Sequence, residues 1–165
     1  MAKRIGTNGD DKLKGTNKND ILKGKGGNDL IKGKKGNDKI FDGGGDDTVF
    51  GGDGKDKFFA GKGSDDMYGG AGKDKFYYEG GKLGDDRIKD FEPGKDKLYI
   101  SKSYGYNSVK QVIDNVSHNR DDFRVDLSLD KDGFGKGKEG YQVHLENYAE
   151  NGNLKDLEDD IILIA

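Results

Sequence analysis

The chain has 165 residues, 29 of them glycine and one proline, with 37% charged and only 30% hydrophobic residues. Its lack of cysteine excludes disulfides and thiolate metal sites, and a net charge of −3 gives no bulk electrostatic reason to expect nucleic acid as a partner. So low an apolar content leaves either a disordered chain or a fold whose thin core is supplemented by bound metal.

Residues 1–5 form a short lead-in. The opening Met1–Asn8 has no apolar h-region, so a Sec-type signal is not expected, and no run is long enough for a transmembrane helix. From Gly6 to Tyr77 the chain reads as eight consecutive nine-residue units without insertion. The sixth residue of every unit is aspartate: Asp11, Asp20, Asp29, Asp38, Asp47, Asp56, Asp65 and Asp74. The eighth is always apolar: Leu13, Leu22, Ile31, Ile40, Val49, Phe58, Met67 and Phe76. Glycine holds the fourth position in every unit but one, where Lys18 stands. Two invariant columns in register define a repeat architecture.

Within each unit, glycine supplies the positive φ angles of a tight turn and the last three residues form a short strand. Strand side chains alternate, so position eight faces one way and positions seven and nine the other. One unit is then half a coil. Two complete a turn of an all-β, right-handed parallel β-roll, with the position-eight side chains between two sheets. Units n and n+2 stack about 4.8 Å apart. One edge thereby aligns Asp11, Asp29, Asp47 and Asp65, and the other Asp20, Asp38, Asp56 and Asp74. Carboxylates about 5 Å apart repel by about 3 kcal/mol per pair at an effective dielectric of about 20. Such columns demand cations. Glycine-rich turns add inward carbonyls, and an all-oxygen cage suits Ca²⁺, several ions of it, rather than zinc.

Gly51–Phe59 and Gly69–Tyr77 match the pattern GGxGxDxUx, with U a large apolar residue, in full. The chain thereby resembles the RTX (repeats-in-toxin) calcium-binding nonapeptide family. The resemblance implies that the eight aspartates and loop carbonyls bind calcium. The candidate carbonyls are those of Gly24, Gly26, Gly33, Gly43, Gly45, Gly52, Gly54, Gly61, Gly63, Gly70 and Gly72.

After a three-residue insertion, Tyr78–Gly80, a ninth unit places Asp86 in the ligand column and Ile88 in the core column. The next stretch, Asp90–Ile100, resembles the DFxPGxDxIxL segment that closes RTX arrays, which makes Asp96 a metal candidate and Asp90 a peripheral one. These features divide the chain into a calcium-binding roll, 1–100, and a C-terminal cap, 101–165.

Beyond residue 100 the period is lost. Val109, Val112, Ile113 and Val116 have helical spacing. Phe123, Val125, Leu127 and Leu129 alternate as a strand, as do Tyr141, Val143 and Leu145, with a hairpin loop at 130–140 between them. Leu154 and Leu157 suggest a helical turn before a final strand, Ile161–Ile164. Asp130–Gly133 imitates the start of an EF-hand, but its glycine comes two positions early and Tyr141 replaces the final glutamate. The histidines His118 and His144 have no metal-ligand spacing, and alternation turns His144 outward.

Position nine reads Lys14, Lys23, Lys32, Phe41, Phe50, Phe59, Tyr68, Tyr77. Left exposed, this column could stack sugar rings and pair carboxylated or sulfated polysaccharide. Large exposed apolar patches are uncommon, so the C-terminal half is expected to fold back over it. The repeats hold 14 lysines against 13 aspartates, so calcium would leave a basic surface.

The acidic-then-apolar end, Glu158–Ala165, resembles the uncleaved C-terminal signature of RTX proteins exported by type I secretion. The expected protein is therefore secreted and extracellular, without stable membrane insertion, and its partners are calcium and the type I secretion apparatus. The function expected is a non-enzymatic module that folds on calcium outside the cell and supports secretion, folding and stability. No nucleophile elbow, zinc motif or phosphate loop is present. The alternative is an anionic-polysaccharide (alginate-like) binding module of a secreted carbohydrate-active enzyme, because the organisation is also similar to the R-modules of secreted mannuronan C5-epimerases.

Overall fold

The computed structural model describes residues 1–80, 84–113, 116–119, 124–128, 142–146 and 154–165. The strands are β1 (Lys3–Ile5), β2 (Lys12–Lys14), β3 (Ile21–Lys23), β4 (Leu30–Lys35), β5 (Lys39–Phe41), β6 (Thr48–Gly54), β7 (Lys57–Phe59), β8 (Asp66–Gly72), β9 (Lys75–Tyr78), β10 (Asp85–Ile88), β11 (Lys97–Ser101), β12 (Val116–Asn119), β13 (Arg124–Ser128), β14 (Gln142–Leu145) and β15 (Ile161–Ile164). Among the described residues, a 3-10 turn (Lys102–Tyr104) and the α-helices α1 (Val109–Ile113) and α2 (Leu154–Asp160) follow the repeats.

Strand order states the architecture. One sheet runs β1-β3-β5-β7-β9-β11-β15, the other β2-β4-β6-β8-β10-β14-β13-β12. Successive units alternate between sheets, and each strand pairs in parallel with the one two units away, as in Leu22↔Ile40 and Ile31↔Val49. This is the parallel β-roll that the nine-residue period predicts. Among the described residues, antiparallel pairing is confined to β12–β13 and β13–β14.

The core lies between the sheets and consists of the position-eight column. Leu22, Ile31, Val49, Met67, Phe76, Ile88 and Leu98 are fully buried. Phe58 and Phe76 stack at 4.7 Å between ring centroids. The insertion at Tyr78–Gly80 does not break the coil, because β10 re-enters the register beside β8 with Ile88 against Met67.

Both sheets continue across residue 100. Strand β14 pairs in parallel with β10, and β15 with β11, setting Leu145 beside Ile88 and Ile161 beside Leu98. Helix α2 leads into β15, and buried Asp160 fixes the join: it accepts from Gly94 N at 2.9 Å and pairs with Lys97 Nζ at 2.7 Å. Three expectations change here. The helix ends at Ile113, and Val116 instead opens β12, held by pairing with Leu127. His144 is buried in β14, between neighbouring strands β10 and β13. The described C-terminal strands prolong the sheets end to end rather than folding back over the aromatic column. Phe123, Leu129, the 130–140 loop with its Asp130–Gly133 segment, and Tyr141 lie outside the described residues.

Candidate metal centre

The two carboxylate oxygens of the repeat aspartates have separate roles. One oxygen, Oδ1, accepts the backbone N–H of the aspartate one coil earlier. On one edge Asp11, Asp29 and Asp47 donate to Asp29, Asp47 and Asp65 at 2.8, 2.7 and 2.9 Å, and Asp65 donates to Asp86 at 3.0 Å. On the other edge Asp20, Asp38 and Asp56 donate to Asp38, Asp56 and Asp74 at 2.7, 2.7 and 2.8 Å, and Asp74 donates to Asp96 at 2.8 Å. Asp86 and Asp96 thus stand in the columns where the sequence places them.

The other oxygen, Oδ2, is buried without a hydrogen-bond partner in Asp29, Asp38, Asp47, Asp56, Asp65, Asp74 and Asp86. An orphaned buried carboxylate oxygen is costly, and a regular row of them calls for cations. The first two turns differ. There Oδ2 of Asp11 accepts from Thr7 N and Oγ1 at 2.5 and 2.9 Å, and that of Asp20 from Thr16 at 2.6 and 2.8 Å. Asp96 Oδ2 is also accounted for, since Glu92 N donates to that oxygen at 2.9 Å. Asp90 accepts from Gly69 and Gly70 N–H at 2.7 and 3.0 Å.

Glycine at the first position of every unit but those of Asp42 and Ala60 keeps space beside the aspartate oxygen. A Cβ on Gly24 would stand 2.2 Å from Asp29 Oδ2 and 2.0 Å from the Asp42 carbonyl. On Gly33 it would stand 2.3 Å from Asp38 Oδ2 and 2.5 Å from the Gly51 carbonyl, and on Gly51 2.5 Å from Asp56 Oδ2 and 2.7 Å from the Gly69 carbonyl. The polar atoms nearest each cradle are therefore all oxygens, the donor set hard cations such as calcium take, with the Phe58 ring bordering the one at Gly51. The residues fit the metal.

Among the predicted carbonyls, those of Gly24 and Gly33 border such cradles, at Gly6 and Gly15. The carbonyls of Asp42, Gly51 and Gly69 join this row although the sequence reading left them out. Those of Gly43 and Gly63 instead accept Lys62 and Gly84 N–H, both at 2.9 Å. Gly52, Gly54, Gly70 and Gly72 lie within β6 and β8, paired with one another across the sheet. Gly26, Gly45 and Gly61 remain turn residues.

Burial sets the electrostatics. It raises Asp38, Asp47 and Asp74 to about 6, and Asp56, Asp86 and Asp96 to about 7, the neighbouring aspartates adding to the effect. Asp65 rises to about 9 through burial and then the nearby Asp42 and Asp86. At the satisfied end the sign reverses, since the Thr7 N–H and hydroxyl hold Asp11 below its ordinary value. Asp42 is the functional residue sequence reasoning missed. It is buried, and its ligand oxygens lie within 4.8 Å of those of Asp47 and Asp65. The available signal was a carboxylate at position one, where glycine is the rule.

The position-nine residues separate into two outward columns on opposite faces, because consecutive units lie in opposite sheets. On the seven-stranded sheet Phe41, Phe59, Tyr77 and Tyr99 stack at 4.4, 4.8 and 4.4 Å, with Lys23 Nζ 4.6 Å from the Phe41 centroid. On the other sheet Lys14 and Lys32 precede Phe50 and Tyr68, which stack at 4.5 Å. The rings are half-buried by their own stacking.

A β-roll with two rows of buried carboxylates facing oxygen-walled turns defines a cation-binding solenoid. The model of the RTX calcium-binding nonapeptide repeat matches four times, at residues 5–40, 24–58, 41–76 and 50–88, together just over half of the chain. The chain belongs to that family. Among solved structures it is similar to the AlgE6R3 subunit of the Azotobacter vinelandii mannuronan C5-epimerase, with 27% identity and a TM-score of 0.54 over 95% of this chain and 80% of that one. The AlgE6R2 subunit of the same epimerase gives 25% identity and a TM-score of 0.55 over 96% and 91%. No curated protein sequence matches. No described helix is long and apolar enough to cross a membrane.

Proposed function

We propose that this chain is a non-enzymatic, calcium-dependent folding module of a secreted protein. The observation that carries the reading is the row of seven buried aspartate oxygens without partners. With calcium scarce, as in the cytosol, the columns stay charged and repel, and the chain remains extended enough for a type I export channel. Outside, at about millimolar calcium, sites in the extracellular affinity range of about 10⁻⁴–10⁻³ M fill and the roll closes. Binding energy is then folding energy. The acidic-then-apolar C-terminus supports the export route, and its residues also form the last strand of the roll.

The test is far-UV circular dichroism of chelator-stripped protein during a calcium titration, with magnesium as control. A cooperative coil-to-β transition near millimolar calcium, absent with magnesium, is expected. A chain equally folded with and without calcium would sink the mechanism.

A second reading, binding of an anionic polysaccharide, is favoured by one observation. The Phe41–Tyr99 ladder runs beside Lys39, Lys57, Lys75 and Lys97 on the same outer face. Rings and cations at a one-strand repeat suit a polymer lying along the axis of the roll. Calorimetry with alginate in saturating calcium tests it. Binding that Phe59→Ala and Lys57→Ala weaken would support this reading, and heats no larger than dilution would remove it.

A further inference from the structure

Position one on one edge of the roll reads Gly6, Gly24, Asp42 and Ala60 in successive coils, and Tyr78, the first residue of the insertion, stacks next in that line. Three consecutive coils thus depart from glycine, and two of them carry polar groups into the interior. Asp42 sits where a glycine Cβ would face the aspartate of its own turn, so its carboxylate joins Asp47 and Asp65. Gly43 N–H donates to Asp42 Oδ1 at 2.6 Å and fixes the side chain. Asp86 adds a further orphaned oxygen at the next coil.

The second observation is Tyr78. Its side chain is fully buried, and its hydroxyl approaches Asp86 without closing a well-formed hydrogen bond, with the charges of Asp65 and Asp42 nearby. A buried hydroxyl so placed, beside the unpartnered Oδ2 atoms of Asp47, Asp65 and Asp86, is accounted for by a ligand among them. Oxygens around one calcium, at bonds of about 2.3–2.6 Å, are at most about 4.6–5.2 Å apart, and the ligand oxygens of Asp42, Asp47 and Asp65 all lie within 4.8 Å of one another, close enough to share a single ion.

We propose that Asp42, Asp47, Asp65 and Asp86, closed over by the Tyr78 hydroxyl, form an interior site for a hard di- or trivalent cation that fills before the ordinary repeat sites. The proposal rests on the calcium reading above and deepens it. An ordinary link, such as Asp38 with Asp56, offers two aspartates, whereas this one offers three or four. Calcium affinity rises with carboxylate count, and an advantage of about tenfold is expected. The first ion would then tie together the coils of β5, β7 and β9 and seed the rest.

The experiment counts bound ions by native mass spectrometry across a calcium titration of the full chain. It compares wild type with Asp42→Gly, which restores the glycine that the preceding coil carries at Gly24. Wild type should hold one ion at about a tenth of the calcium needed for the others. Asp42→Gly should lack that ion and keep the rest. Terbium supplies an independent readout, since tyrosine sensitises its emission: the first equivalent should be bright in wild type and lose more than half of that emission in Tyr78→Phe. Should Asp42→Gly fail to fold, the terbium comparison alone decides. Equal ion counts and equal first midpoints in wild type and a folded Asp42→Gly, or unchanged emission in Tyr78→Phe, would overturn the interior site. A wild type that binds no calcium would instead overturn the module reading itself.

Discussion

Seven aspartates of this roll are bound through one oxygen and left open through the other, and that asymmetry makes the calcium-free fold sensitive to pH. Asp38, Asp47 and Asp74 titrate at about 6 in the fold, and Asp56, Asp86 and Asp96 at about 7, against an ordinary value of 3.8. Raised carboxyls mean that the folded chain holds protons the unfolded chain has released. Their contribution to stability is therefore fully present below about pH 4 and is lost as pH climbs through about 6 to 7. Chelator-stripped protein should show more β signal by circular dichroism at pH 4.5 than at pH 8. Because calcium displaces those protons, its midpoint should fall over the same interval. Equal spectra at both pH values would contradict this account. At this scale the sequence was readable where a residue type is invariant. The sixth-position aspartates and their continuation to Asp86 and Asp96 needed only counting. What escaped were departures whose meaning lies in three dimensions. Thr7 and Thr16 look like variants of a turn residue, yet they satisfy Asp11 and Asp20. Lys25 and Lys34 adopt φ of 88° and 89°, left-handed values that the turn imposes although the side chain disfavours them.

Elements in this fold are short, and their stability comes from stacking along the axis. Strands such as β5 and β7 have three residues each, too few to persist alone, yet Phe58 lies between Ile40 and Phe76 in a column with no gap. Phe58→Ala should cost about 3–5 kcal/mol in urea unfolding at saturating calcium. Its outward neighbour Phe59, half-buried between Phe41 and Tyr77, contributes chiefly ring stacking, so Phe59→Ala should cost about 1 kcal/mol. Equal losses would mean that the outer ladder is as much core as the inner one. The nine-residue period made these strands legible because every unit repeats the signal. The C-terminal elements occur once. There Val109, Val112, Ile113 and Val116 fit a helix by spacing, but Val116 to Asn119 find a partner in β13, and pairing decides what a run of that length cannot. His144 was misplaced for a related reason: alternation puts it on the face opposite Val143 and Leu145, but alternation does not say whether that face meets water, and here His144 is buried.

Across the whole molecule, a roll has two open ends, and each exposes strand edges that invite further pairing. The last coil of the seven-stranded sheet is closed by β15, whose four residues pair with Leu98–Ser101. Asp160 locks it through Lys97 and Gly94, and buried Leu157 and Ile161 join the core. The stretch that resembles an export signal is thus also a structural closure, which the sequence left as two separate readings. On the proposed export route the timing is compatible with this closure, since a segment held accessible during export would become β15 only after β11 has formed. Removing residues 154–165 should therefore leave the repeat columns intact but shift the calcium midpoint upward and make the transition less steep. The bared edge of β11 should drive association, visible by sedimentation velocity as oligomers that appear only when calcium is added. A truncated chain that stays monomeric and folds at the same calcium concentration would show that the repeats close without this strand.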